Sequence, residues 1–288
     1  MTSELNYTLA VALIILLLSA LYGVRVAVKG RVHFDRIDRQ GGSWLLSKGA
    51  MEFGYWILEP VVRLLVFLGI TPNQVSWASL GLGFLSGACL SVGHFGFGAI
   101  FAALSGLLDS VDGMVARVSG VASDAGEVLD AAIDRYVEFF FFAGLIIYYR
   151  GIPGLQMLVL LALLASFMVS YSTAKAEALN ITPPRGSMRR PERAVYLTLG
   201  AALSAVTIAW LESQREFSIA IGYPMVIALG LVAVVGNVSS IERLWSVAKA
   251  IRVREKNNVE ARARAHQDVS SDEQDNSQIS HHSAGLRL

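Results

Sequence analysis

Asp109-Ser110-Val111-Asp112-Gly113-Met114-Val115-Ala116-Arg117, then eight residues, then Gly126-Glu127-Val128-Leu129-Asp130-Ala131-Ala132-Ile133-Asp134, is the stretch on which the reading turns. Asp109 and Asp112 lie three apart and Asp130 and Asp134 four apart, so each pair shares one face of a helix. A turn near residue 121 makes the two helices an antiparallel hairpin. Asp109 then stands level with Asp134, and Asp112 with Asp130. Four acids gathered in a partly buried place repel one another unless cations neutralise them. Hard carboxylate oxygens in such a set suit Mg²⁺ or Mn²⁺. Gly113 removes a side chain beside Asp112, and Ala116 and Gly126 keep the neighbouring turns small, which leaves room for a ligand. Arg117 closes the first of the two helices, placed to meet a phosphate or pair with an acid.

The surroundings of the hairpin are apolar. The 288-residue chain is 54% hydrophobic and only 16% charged, against about 25% charged in a typical soluble domain. A bilayer core of about 30 Å needs about 20 apolar residues per helix. Runs of that length occur near residues 7–28, 73–92, 95–117, 127–149, 154–178, 194–211 and 217–240. The expected fold is therefore all-α and polytopic. An extra N-terminal transmembrane helix and basic loop (1–48) precede an interfacial helix (49–70), a six-helix core (71–250) and a disordered polar tail (257–288). Glu52, Glu59, Pro60 and Arg63 interrupt the 49–70 stretch, and Tyr55 and Trp56 suit the headgroup level. Residues 1–6 hold Glu4 and no Lys or Arg, so the first run lacks the basic start of a signal peptide and is expected to be retained. The single Cys89 excludes a disulfide framework.

Charge placement orients the chain. Lys29, Arg31, Arg36, Arg39 and Lys48 form one basic segment; Lys175, Arg185, Arg189, Arg190 and Arg193 form a second. Arg243, Lys249, Arg252, Arg254 and Lys256 form a third. The turns between hold only isolated charges such as Arg150 and Arg215. With seven spans, all three basic segments and the aspartate turn fall on one side, which the positive-inside rule makes cytoplasmic.

The spacing Asp-x2-Asp-Gly-x2-Ala-Arg-x8-Gly-x3-Asp-x3-Asp resembles the signature of the CDP-alcohol phosphotransferases, and each specified position is occupied here. The resemblance covers roughly residues 50–250. It implies six core helices, a cytoplasm-facing cavity (at the inner membrane in a bacterium) and a homodimer. It implies a reaction in which an alcohol attacks a CDP-linked lipid, giving a phosphodiester and CMP, with no role for nucleic acid. By the same resemblance Asp109, Asp112 and Asp130 bind divalent metal, and Asp134 is a further ligand or the general base. Asp112, Gly113, Ala116, Arg117 and Gly126 line the CDP. Thr71-Pro72-Asn73-Gln74-Val75-Ser76 reads physically as a helix start, Thr71 as N-cap and Pro72 in the first turn. It is also similar to the family's Pro-Asn-x-Val-Ser segment, which makes Asn73 a nucleotide contact.

The stretches Ser170–Glu177 and Met188–Arg193 look like those of phosphatidylinositol phosphate and phosphatidylglycerol phosphate synthases, whose acceptors carry a phosphate. Lys175, Arg190 and Arg193 are the expected acceptor-binding residues. Those synthases have two bases two residues apart where this chain has Thr173 and Lys175, so an inositol phosphate acceptor does not follow directly. Gly83-x3-Gly87 is a candidate helix-packing face. Two other functions share parts of the pattern. A divalent-cation transporter would spread its acids along a path, and a prenyl transferase using Asp-x2-Asp would not call for Gly113, Ala116 and Arg117 at these spacings.

Overall fold

The computed structural model describes residues 2–30, 47–182, 186, 188–212 and 221–284. Arg31, Arg36, Arg39, Arg185 and Arg215 lie outside these residues. Eight helices and no strand occur among the described residues: α1 (Thr2–Lys29), α2 (Lys48–Phe67), α3 (Pro72–Ser91), α4 (Phe95–Val118), α5 (Asp124–Tyr148), α6 (Pro153–Ala178), α7 (Arg190–Glu212) and α8 (Tyr223–Ala284). The all-α expectation holds, and six helices follow Thr71.

Among the described residues, five helices are long and apolar enough to cross a membrane, within α1, α4, α6, α7 and α8, as befits an integral membrane protein. Seven spans were expected. α5 falls short because Asp130, Asp134, Arg135 and Glu138 crowd its middle, and α3 because serines and glycines dilute its apolar residues. Large apolar side chains such as Leu16, Leu17, Trp210, Ile227 and Val234 are exposed, as a lipid-facing surface requires.

The chain divides into two units, residues 1–170 with 187–239, and residues 171–186 with 240–288. In the first, Leu90, Phe95, Phe142, Leu145, Met188, Leu197, Met225 and Leu229 form the main core. The Tyr149 hydroxyl donates to the Ile221 carbonyl at 2.7 Å. A second cluster of Leu58 and Val62 from α2, Val75 from α3, and Val111, Met114 and Val115 from α4 lies around the aspartate-bearing turns. α1 meets α2 through Tyr22, whose ring lies 5.5 Å from Phe53 and 5.4 Å from Trp56.

The two halves of the aspartate hairpin meet each other over a short stretch only. α3 packs along both α4 and α5, whose own backbones come close at only a few places. Serines lace α3 to α4: Ser79 Oγ donates to the Ser105 carbonyl at 3.1 Å, Ser105 Oγ returns a 2.8 Å bond to Ser79, and Ser86 Oγ reaches Gly98 at 2.8 Å. Glycines join α3 to α5. A Cβ on Gly87 would fall on the Phe140 carbonyl oxygen, one on Gly144 on the Gly87 carbonyl oxygen, and one on Gly83 2.9 Å from Val137. At Gly87 and Gly144 the crossing is backbone to backbone, while Gly83 makes room for the Val137 side chain.

In the second unit Arg243 donates to Thr173 Oγ1 at 2.9 Å and Arg254 to the Leu179 carbonyl at 3.0 Å. α8 continues as helix to Ala284, where the tail from Asn257 was expected to be disordered. The Ala, Arg, Glu and Gln residues of the tail are strong helix formers, and between Asn257 and Gly285 there is neither Pro nor Gly. A low apolar content excludes a packed core, not a helix.

Candidate functional site

The site begins with two helix starts. Thr71 caps α3, its hydroxyl accepting from the Gln74 N–H at 3.3 Å while the Gln74 side chain accepts from the Thr71 N–H at 2.9 Å. That reciprocal cap fixes the first turn, where Asn73 is exposed and Val75 and Ser76 are buried. Ser123 caps α5 and accepts from the Gly126 N–H at 3.2 Å. A Cβ on Gly126 would press on that same hydroxyl at 3.3 Å, so this glycine is tied first to its helix start.

From these starts the acids converge. Asp109, Asp112 and Asp130 each offer a carboxylate oxygen, and these atoms lie within 4.8 Å of one another. Asp112 is 5% exposed, and Ser76 Oγ donates to its Oδ2 at 2.6 Å. Asp130 Oδ1 is buried with no hydrogen-bond partner. An orphaned carboxylate oxygen beside two more carboxylates is costly unless a cation completes the set. The donors are all hard oxygens, so the trio fits a divalent cation of the Mg²⁺ or Mn²⁺ kind.

Asp134, the fourth acid, is placed differently. Its Oδ1 is paired with Arg190 Nη2, and the same guanidinium reaches Asp109 with Nη1 at 3.4 Å and Nη2 at 3.3 Å. Arg190 therefore bridges Asp134 to one member of the trio. Arg193, one turn further along α7, is 1% exposed and pairs with Glu138 Oε1 at 2.6 Å. Its Nε and Nη1 are buried without a hydrogen-bond partner. Arg117 is exposed and folds back, its Nη1 only 3.2 Å from where a Gly113 Cβ would be. Glycine there leaves space under the guanidinium that any side chain would occupy. Ala116 is half-buried on the turn after Asp112. Lys175 belongs to the second unit and is exposed.

Two residues around the acids went unassigned at the level of sequence. Ser76 was quoted only as part of a helix start, and its partner lies 36 residues away. Glu138 carried a visible signal: 130, 134 and 138 repeat every four residues, so the acidic face of α5 runs one turn beyond Asp134.

Comparison with known proteins agrees with this geometry. The family described as CDP-alcohol phosphatidyltransferase matches residues 69–236. A phosphatidylinositol phosphate synthase of Corynebacterium glutamicum is 31% identical over 171 residues, 58% of this chain and 78% of that protein. One of Streptomyces avermitilis is 30% identical over 233 residues, 79% of this chain and 91% of that protein. Among solved structures, the phosphatidylinositol phosphate synthase of Mycobacterium tuberculosis with CDP-DAG bound superposes with a TM-score of 0.57 at 26% identity, covering 65% of this chain and 92% of that one. The same synthase in complex with manganese and citrate gives the same TM-score.

Proposed function

The chain belongs to the CDP-alcohol phosphatidyltransferase family, and from that premise we propose that it is a phospholipid synthase that transfers a phosphatidyl group from a CDP-linked lipid to a phosphorylated alcohol, releasing CMP. The observation that carries the reading is the convergence of Asp109, Asp112 and Asp130 within 4.8 Å. A divalent cation bound there, Mg²⁺ or Mn²⁺, would neutralise charge on the pyrophosphate as the bond to CMP breaks. Ser76 holds Asp112 in its ligating orientation, as a hydrogen bond to the back of a ligand does at many metal sites. Asp134 would take the proton from the attacking hydroxyl. That hydroxyl oxygen bonds to the lipid-linked phosphorus, and the phosphorus–oxygen bond to CMP breaks. Arg190 lies between Asp134 and Asp109 and would offer its fork to the phosphate of the acceptor or of the transferred group.

Asn73, Gly113, Ala116, Arg117 and Gly126 are assigned to the CDP and Lys175 to the acceptor's phosphate. Relatives named for phosphatidylinositol phosphate synthesis support a phosphorylated acceptor, while Thr173 leaves the choice between inositol phosphate and glycerol phosphate to experiment. The basic segments support a site facing the cytoplasm, at the inner membrane in a bacterium, and a homodimer is the expected assembly. The deciding measurement is CMP release from CDP-diacylglycerol by the purified protein, screened against inositol phosphate, glycerol phosphate, inositol, serine and phosphatidylglycerol. A phosphorylated acceptor should support turnover and Asp109→Asn should abolish it. Full turnover by Asp109→Asn would overturn the reading.

A further inference from the structure

We infer that Glu138 and Arg193 are positioning residues, whose buried ion pair keeps Arg190 on Asp109 and Asp134. The inference rests on the reading of those aspartates as part of the transfer site. α5 presents Asp130, Asp134 and Glu138 on one face, and the first turn of α7 presents Arg190 and Arg193 to it. The pairing is staggered. Arg190 takes Asp134 and Asp109, and Arg193 takes Glu138.

Glu138 is within reach of both arginines. Its Oε1 lies 2.6 Å from Arg193 Nη2 and 4.0 Å from Arg190 Nε. The two guanidiniums thus compete for one oxygen, and Arg193 holds it. Arg193 has no other carboxylate among the described residues, since its Nε and Nη1 are buried without a hydrogen-bond partner. Arg135 is the remaining cation near Glu138, 3.6 Å from Oε2, with no hydrogen bond formed to that oxygen. In so enclosed a place, removing one member of a pair leaves an uncompensated charge, which is far costlier than losing both. Without Arg193, Glu138 would draw Arg190 off Asp134. Arg193 therefore acts on the site through Glu138 and Arg190, not by touching the acceptor.

The test is a suppressor experiment on the full-length protein in detergent, following CMP release and Mn²⁺ affinity. Arg193→Met should lower kcat by at least ~10-fold, a loss worth about 1.4 kcal/mol of barrier. Combining it with Glu138→Gln should restore most of that activity, although a second side chain has been altered. Mn²⁺ should bind several-fold more tightly to Arg193→Met, because Asp109 loses its counter-ion, and return toward the parent value in the double variant. A packing role, or direct contact with the acceptor, gives a double variant no better than the single one, and that result overturns the inference. If Arg193→Met does not fold, Arg193→Lys replaces it: lysine lacks the fork, so a smaller loss rescued by Glu138→Gln is expected. If the unaltered protein releases no CMP from CDP-diacylglycerol, the transferase reading falls. The Mn²⁺ titration then decides the positioning role alone, with unchanged affinities in the single and double variants counting against it.

Discussion

Ser76 on α3 donates a 2.6 Å hydrogen bond to Asp112 Oδ2 on α4, and both residues are buried. The same hydroxyl lies 3.2 Å from the Pro72 carbonyl, so the capped first turn of α3 is tied directly to the acid. Ser76→Ala should weaken Mn²⁺ or Mg²⁺ binding by about 10-fold or more, as loss of a group supporting a ligand commonly does. Ser76→Thr, which keeps the hydroxyl, should stay near the parent. Metal titration of the purified variants checks both.

Stripping divalent cations with EDTA should stop CMP release, and adding back Mg²⁺ or Mn²⁺ should restore it. Asp130→Asn should bind metal poorly and resist that restoration, because the amide cannot replace the charge of a carboxylate whose Oδ1 now lacks any partner. Restored turnover in Asp130→Asn at the metal concentration that saturates the parent would remove Asp130 from the site.

Gly87→Leu should destabilise the protein by about 1–3 kcal/mol or block folding, since overpacking forces the surrounding backbone to move. The neighbour it meets is the Phe140 carbonyl rather than a flexible side chain. Gly81→Ala is the control on the same helix, as nothing lies within 4 Å of its added methyl. Thermal unfolding in detergent should separate the two clearly.

Lys175→Ala should raise KM for a phosphorylated alcohol several-fold and leave KM for the CDP-linked lipid unchanged. A uniform change in both would point to a structural effect instead. An unchanged acceptor KM would take Lys175 out of the acceptor's reach.

Much of the site was legible in the sequence because it depends on short spacings. The three- and four-residue intervals of the aspartates, the Thr71 cap and the small residues at Gly83 and Gly87 are local patterns on single helices. What was not legible depends on long-range packing. The hairpin arithmetic brought the acids of α4 and α5 together, but it did not show that α3 packs along both helices, because sequence order carries no information about which third helix joins them. The Ser76–Asp112 and Arg193–Glu138 contacts span 36 and 55 residues, and no periodicity announces a partner that far away. Arg193 looked like an acceptor ligand from its charge. Its burial and its pairing with Glu138 are visible only in the structure. α5 failed as an obvious span for a related reason: the acids that make it useful also lower its apolarity.

The α3 helix packs against both aspartate-bearing helices and holds them like a splint, with Gly83 and Gly87 setting its closeness to α5. The spacing of Asp112 on one helix and Asp130 on the other would thereby depend on residues that touch neither carboxylate. Mg²⁺ demands oxygens at about 2.0–2.1 Å in a nearly ideal octahedron, whereas larger cations tolerate a looser cage. Gly83→Ala, pressing on Val137, would therefore be expected to shift any preference between Mg²⁺ and a larger cation without altering a carboxylate.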